Sequence, residues 1–371
     1  MTTGADGGAP EVVEVELVRV RVPLARPHRS AHDTEAVRDV VLVRIALDDG
    51  SVGWGECGAL SRPTYSAEYT DGAWSVLRAE LGPALLTGHP SGVVGHPMAV
   101  AAVEAATIDA DLRRTGRALA VHLAAFHGGK PTLSVPTTAV VSRADRVDDV
   151  VAAVGAHVNA GAAMVKLKVT PEAADVAAIE AVRANWPDLA LAADANGTAD
   201  HALVARLDRL GLAYLEQPAP AEALVTSSAL ALQSDTPIAL DESVTGRGAL
   251  DAAIALRAGS ILNVKPARVG GLEVAAHLVA AAVDGGWEVF VGGMLETGVG
   301  RAAAVAVAAL PGCSLPTDLG PSSRYFATDV TDPLVVEQAG RLMVPTGAGI
   351  GRVPHAGSVD EFSVDRFLLT R

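Results

Sequence analysis

The chain is short of the features that mark several protein classes. Two cysteines in 371 residues, Cys57 and Cys313, are too few for a disulfide framework or a thiolate zinc site, and they read as reduced, buried thiols. Basic residues are outnumbered, 29 Lys and Arg against 43 Asp and Glu, and they never cluster. A formal charge of −14 without a basic run excludes nucleic acid and an anionic membrane surface as partners, so any anionic substrate must be attracted locally. No apolar run is long enough to span a bilayer, and the opening residues lack the basic end and apolar stretch of a secretory leader. A cytoplasmic location is expected. The ten histidines show no metal spacing, and no Gly-rich phosphate turn follows the first strand, which removes support for nucleotide binding.

What is present is apolar residues, half of the chain, enough for a large core. Residues 1–10 read as a disordered tail, small and polar. From Val12, "VVEVELVRVRV" and "RDVVLVRIALDDGSVGWGEC" alternate as antiparallel strands do, with a turn at Asp48-Asp49-Gly50. Two helical stretches follow, "AEYTDGAWSVLRAELGPALL" and "PMAVAAVEAATIDADLRRTG", the second closed by a glycine. Together they make an α+β unit over residues 11–131. From residue 132 to 323 the grammar changes to eight short apolar strands, each followed by an Ala-rich helical segment: "SVPTTAVV", "AMVKLKV", "LALAADAN", "YLEQP", "PIALDES", "ILNVKP", "EVFVGG" and "CSLPTDL". Such alternation means parallel strands joined by right-handed crossovers, and eight units favour a closed α/β barrel over an open sheet. Residues 324–371 return to mixed strand and turn signals and are expected to pack back on the N-terminal unit.

In "AAMVKLKV", Lys166 and Lys168 share one face of a strand, which disfavours burial unless the cost serves a purpose. In a parallel barrel the carboxyl ends of all strands share one mouth. Charged groups recur there: Lys166 and Lys168, then Asp194 with Asn196, Glu216, Asp241 with Glu242, Lys265, and Glu296 just past the seventh strand. From Lys168 through Asp194, Glu216 and Asp241 to Lys265 the steps are 26, 22, 25 and 24 residues, one strand-helix unit each. Three carboxylates from adjacent strands repel unless a cation sits between them, and oxygen ligands favour a hard ion, so Asp194, Glu216 and Asp241 are expected to bind Mg²⁺, with Mn²⁺ as a substitute. Lys168 and Lys265 flank the trio. A lysine must fall from about 10.4 to about 7–8 to act as a base near neutral pH, a change of roughly 4 kcal/mol. Burial, the ion, Lys166 beside Lys168 and Arg268 beyond Lys265 are expected to supply it. Glu242 is expected to support the ligands, and Glu296 to contact the rim or cap a helix.

The ordered set "KLK", "DAN", "LEQP", "DES" and "NVKPARVGG" resembles the muconate-lactonizing subgroup of the enolase superfamily. "GWGEC", "TYSAEYTDGAW", "GGMLETGVGRA" and Arg324-Tyr325 are similar to the o-succinylbenzoate synthase and N-succinylamino acid (N-acylamino acid) racemase family, over nearly the whole chain. The resemblance implies a modified TIM-type (β/α)7β barrel under an N-terminal α+β capping domain that the C-terminal segment completes. It implies a capping loop, Pro23–Asp33, near the substrate, although "ARPHRSAHD" departs from the usual Phe and Gly pattern. It assigns Lys168 and Lys265 as catalytic, Asp194, Glu216 and Asp241 as ligands, and Lys166 and Asn196 as supporting residues. The implied activity is Mg²⁺-dependent dehydration of a cyclohexadiene carboxylate to o-succinylbenzoate, in the menaquinone pathway, with racemisation of N-acylated amino acids as the alternative. A dipeptide epimerase fits less well, because Thr317-Asp318-Leu319 lacks an Asp-x-Asp pair, and a non-catalytic carboxylate-binding barrel is the rival from another class. The expected partners are a small carboxylate substrate and further copies of the chain, as a dimer or an assembly of dimers.

Overall fold

The computed structural model describes residues 10–29, 34–337 and 340–371. The expected tail lies outside them except for Pro10, and so does the part of the capping loop from Ser30 to Asp33. The alternating N-terminal segments form three antiparallel strands, β1 (Val12–Arg29), β2 (Thr34–Leu47) and β3 (Val52–Cys57). Gly50 turns the chain between the last two at φ +85°, in the left-handed region that a Cβ disfavours. The period of two divides β2 between two cores. Val41, Val43 and Ile45 bury against the cap's own helices, while Val40 and Leu42 join the core of the barrel.

The helix Pro97–Thr115 opens on proline at its first turn and ends at Gly116, left-handed at φ 67°. It lies directly on β3. An ideal Cβ at Gly53 would come within 2.1 Å of the Ala106 carbonyl oxygen, and one at Gly55 within 2.0 Å of that of Ala102. Two glycines in "GWGEC" and a stripe of alanines thus let backbone meet backbone. The earlier helical stretch is built in three pieces, a helix Thr70–Val76, a π-helical segment Leu77–Leu81 and a helix Gly82–Thr87.

The barrel differs from expectation at its two ends. "SVPTTAVV" splits into β4 (Ser134–Pro136), which leaves the barrel, and β5 (Ala139–Val141), which begins it. Parallel strands then follow in chain order: β6 (Met164–Lys168), β7 (Ala190–Asp194), β8 (Leu215–Glu216), β9 (Ile238–Leu240), β10 (Ile261–Val264) and β11 (Glu288–Val291). The expected eighth strand, "CSLPTDL", forms a bridge in place of a ladder. The N–H groups of Leu315 and Asp318 donate to Val289 and Val291 at 3.1 and 3.2 Å, and Thr317 exchanges bonds with Pro136 and Thr138 at 2.9 and 2.8 Å. Pro316 has no N–H to give a ladder, and these few bonds still tie the two edges of the curled sheet together. The C-terminal segment also divides. β12 (Val336–Glu337) and β13 (Arg341–Met343) form a small sheet with β4, and only β14 (Ser363–Thr370) joins the cap, alongside β1.

Three side chains of the cap, Arg38 and Glu56 buried and Glu104 partly buried, fasten it to the barrel. Glu56 accepts from the N–H groups of Thr297 and Gly300, each at 2.9 Å, and from the Thr297 hydroxyl at 2.6 Å, at the start of the helix Gly298–Ala308. Glu104 accepts from Leu272 and Glu273 N–H groups at the start of the helix Leu272–Asp284. Carboxylates at two helix N-termini satisfy orphaned donors and meet the positive dipole ends. Arg38, 0% exposed, donates to the carbonyls of Gly58 at 2.7 Å, Ala59 at 2.8 Å, and Met294 and Leu295 at 3.2 Å, the last two on the barrel.

Gly55→Ala is expected to destabilise the protein by about 3 kcal/mol or more, because rigid backbone occupies the space its methyl needs. Gly248→Ala, in the helix Arg247–Leu256 with nothing within 4 Å of its built Cβ, is expected to stabilise by about 0.5–1 kcal/mol. Urea unfolding midpoints check both, and equal shifts would remove the packing argument.

Candidate active site

Parallel register carries the site. Lys168 sits opposite Asp194 on the β6–β7 pair, and Asp194 opposite Glu216 on β7–β8. Glu216 pairs with Ala239, so Asp241 projects from the same face two residues further along. Lys265 directly follows β10. One cavity of about 150 Å³ at this mouth is lined by Lys166, Lys168, Lys265, Asp194, Glu216 and Asn196 among others.

The charged groups engage in pairs. Lys168 donates to Asp194 at 2.6 Å and to the Asn196 side chain at 2.8 Å. Lys265 donates to Asp241 at 2.8 Å and to the Tyr65 hydroxyl at 3.1 Å, and lies 5.0 Å from the Tyr65 ring centre. Lys166 is held between Glu216, at 2.6 Å, and Asp318. Arg268 clasps the other oxygen of Asp241 and donates to the Tyr65 hydroxyl at 2.9 Å. Asn263 donates to Glu216 at 2.7 Å, and Asn196 to Glu242 at 3.0 Å. Gln217 accepts from the N–H groups of Asp241 and Ser243, which fixes the start of the loop after β9. Asn196, Gln217 and Leu295 take φ of 43°, 39° and 57°, so three side-chain-bearing residues hold left-handed backbone on loops at this mouth. Strain of that kind persists where the surroundings fix it, and it gathers at functional sites.

Two expectations need correction. The lysines do not sit low. Burial pulls the Lys168 ammonium down, but Asp194 outweighs it and the net shift is upward; Asp241 does the same for Lys265, and Asp318 with Glu216 for Lys166. The three ligand carboxylates also do not converge: among the described residues no three His, Cys, Asp or Glu side chains stand ready around a common point. Both departures have one physical cause. Each carboxylate leans on the nearest ammonium or guanidinium, as a buried anion must when that is the partner at hand.

The donor set nonetheless fits a hard divalent cation. Asp194, Glu216, Asp241, Glu242 and Asp318 face four cations, Lys166, Lys168, Lys265 and Arg268. Buried oxygens of Glu242 and Asp318 have no hydrogen-bond partner among the described residues. The Glu216 carboxyl, pushed up first by burial and then by neighbouring carboxylates, reaches about 8, and Glu242 about 7 for the same reasons. Negative charge is in excess, on oxygen ligands alone, the setting that Mg²⁺ suits.

Glu296 meets neither expectation simply. Its carboxylate is buried, pairs with Arg301 at 3.1 Å and accepts from the Met294 N–H at 2.7 Å. It does not line the main cavity itself but contacts two residues that do, Arg301 and Met294. Sequence reasoning passed over Tyr65, Asn263, Asp318, Arg301 and Tyr325 as site residues. Asn263 had a signal, standing two residues before Lys265 on one strand face, and Tyr65, Arg301 and Tyr325 lie inside motifs quoted for the family resemblance.

Comparison with known proteins agrees with this geometry. Residues 149–357 match the family described as enolase C-terminal domain-like, and residues 12–123 match the mandelate racemase/muconate lactonizing enzyme N-terminal domain. An N-succinylamino acid racemase of an Amycolatopsis species is 40% identical, over 94% of this chain and 96% of its own. An o-succinylbenzoate synthase of Geobacillus kaustophilus is 35% identical, over 95% of each chain. Among solved structures, an enolase superfamily member from Listeria innocua superposes with a TM-score of 0.91 at 29% identity, covering 97% of this chain and 99% of its own. With both domain matches, the cap and barrel, and relatives of this similarity in hand, the chain belongs to the o-succinylbenzoate synthase/N-succinylamino acid racemase family, in the muconate-lactonizing subgroup of the enolase superfamily.

Proposed function

We propose that the protein removes the proton next to a substrate carboxylate, and that its reaction is the racemisation of N-succinylamino acids. The observation that carries this reading is the pair Lys168 and Lys265, which open on one cavity from strands on either side of the carboxylate trio. A racemase needs an amine on each face of the carbon: one, neutral, takes the proton; its electron pair moves into the carboxylate to give an enediolate; the other, as ammonium, returns a proton to the opposite face. Magnesium held by Asp194, Glu216 and Asp241 would supply positive charge for the enediolate oxygens and occupy carboxylates that otherwise bind the lysines. Lys166 and Asn196 fix the Lys168 side, Tyr65 and Arg268 the Lys265 side.

A second reading, o-succinylbenzoate synthesis, is supported by the Geobacillus kaustophilus relative. It uses the same first step. Lys168 would take the proton and, as ammonium, give one to the departing hydroxyl, so that water leaves and the ring becomes aromatic. A relative from Bacillus subtilis named an L-Ala-D/L-Glu epimerase is 30% identical, but Thr317-Asp318-Leu319 offers one carboxylate in place of an Asp-x-Asp pair, and Lys166 already holds one of its oxygens.

Lys168→Ala is expected to lower dehydration at least about 100-fold and to abolish its share of α-proton exchange, with the fold retained. Lys265→Ala is expected to abolish racemisation while exchange of one enantiomer persists. Deuterium incorporation in D₂O with N-succinylated amino acids reads each face separately, and wild type that exchanges no α-proton on any succinylated acid would instead indicate a binding protein. Chelation is expected to silence the enzyme and Mg²⁺ or Mn²⁺ to restore it, with a rise in melting temperature on loading. Glu216→Gln should need more Mg²⁺ for half-restoration, and an unchanged midpoint would remove Glu216 from the ligand set.

A further inference from the structure

The structure assigns Glu35 as the receptor for a positive charge at the tip of the substrate's amino-acid side chain. This inference rests on the racemase reading and names the class of amino acid that the site selects. Four carboxylates among the described residues line the cavity, Glu35, Asp194, Glu216 and Asp318. Three of them belong to the barrel, and lysines hold them: Lys168 pairs with Asp194, and Lys166 with Glu216 and Asp318. Glu35 comes from the cap, at the start of β2. Its Oε1 accepts from the Ser61 hydroxyl at 2.8 Å and the Ser61 N–H at 3.4 Å, and its Oε2 is buried with no hydrogen-bond partner among the described residues. This carboxylate is therefore met by neutral groups on one oxygen and by nothing described on the other.

An acceptor withdrawn from water is costly until a donor completes it, and a charged donor makes the strongest bond to a carboxylate. The support for Glu35 is in place before any ligand arrives. The Leu60 carbonyl accepts from the Thr70 N–H at 2.9 Å and the Thr70 hydroxyl at 3.1 Å, which fixes the Leu60-Ser61 segment that holds the carboxylate. Arg38, three residues further along β2, binds the carbonyls of Met294 and Leu295, so the same strand ties Glu35 to the wall of the barrel mouth. Ser61 is a positioning residue. Besides its reacting carboxylate, an N-succinylamino acid extends two arms from the carbon that exchanges its proton. The succinyl arm ends in an anion, which Glu35 repels. The arm that meets Glu35 is thus the side chain. Leu60, Met294 and Leu295 line the same cavity and present apolar surface. An aliphatic stem against those residues with a cation at its tip satisfies both features, which is the chemistry of lysine, ornithine and arginine.

The test compares Nα-succinyl-lysine with N-succinylnorleucine, which has the same four-carbon stem without the ammonium, on the magnesium-loaded enzyme. The wild type is expected to prefer the lysine derivative. Glu35→Gln, which keeps an oxygen for Ser61 and removes the charge, is expected to lower the ratio of kcat/KM for lysine over norleucine at least about tenfold, mainly through KM. Ser61→Ala should move the ratio the same way by a smaller factor. A wild type without that preference, or a ratio that Glu35→Gln leaves unmoved, overturns the proposal. So does an equal loss on both substrates, because Glu35 would then accept from a group common to them, such as the amide N–H. Calorimetric binding of the two derivatives to wild type and Glu35→Gln reads the subsite without turnover. A lysine preference that depends on Glu35 in an enzyme that racemises neither compound would sink the racemase reading and keep the subsite; racemisation with no such preference would do the reverse.

Discussion

Asp194, Glu216 and Asp241 are buried side by side at one end of a barrel, and burying a carboxylate costs several kcal/mol unless a partner is supplied. The arrangement of the mouth follows from how that cost is met. Lysines two residues apart on β6, a lysine and an arginine three residues apart after β10, and amides from Asn196 and Asn263 all reach these oxygens. The balance is incomplete, since Glu216 and Glu242 remain far above the ordinary carboxylate range. A divalent cation held by these anions would free the lysines in one exchange. The same residues that hold the lysines as ammonium groups are the ones a metal would claim.

That exchange needs a rigid frame, and the frame is a shared product of both domains. Side chains in the left-handed region at Asn196, Gln217 and Leu295 stay there because Gln217 is bonded to the loop after β9 and Arg38 of the cap holds the Leu295 carbonyl. Glu56 and Glu104 bind the starts of the last two long helices of the barrel, so the cap grips the backbone that carries Glu296 and Arg301. Met294 and Leu295, whose carbonyls accept from Arg38, also line the cavity. Domain docking and cavity shape are therefore one set of contacts.

Much of this was legible before any coordinates, for definable reasons. Strands β6 to β11 announce themselves as short apolar runs at regular intervals, and the charged residue at each carboxyl end follows from parallel register alone. The helix Pro97–Thr115 is written from its proline to its glycine. The end strands were misjudged because "SVPTTAVV" and "CSLPTDL" are apolar yet contain prolines, and whether such a segment pairs on both sides depends on distant neighbours, here β13 and the two edges of the barrel. The electrostatics were misjudged for a different reason. Lysine proximity in sequence suggested mutual repulsion, and Lys166 does push the Lys168 ammonium down, but the carboxylates beside each lysine outweigh both that and burial. Arg301 lies inside the motif "GGMLETGVGRA", but its place on the cavity wall depends on how the helix Gly298–Ala308 packs, which the sequence alone does not give.

The two reactions assigned to relatives share their first step, so the proton-transfer machinery does not decide between them. Dehydration asks for one base and room for a hydroxyl to depart; racemisation asks that both amines be equally placed. In this chain Lys265 is as deeply supported as Lys168: each donates to one carboxylate and one neutral oxygen, and each has a second cation nearby, Arg268 for Lys265 and Lys166 for Lys168. A residue kept only to steady developing charge has no need of a second cation at its side, because that cation disfavours its own protonated form. One that must give up a proton and take it back gains from it. The matched support of the two lysines, each with a cation at its side, is therefore what favours the proposed racemase reading over the dehydratase one.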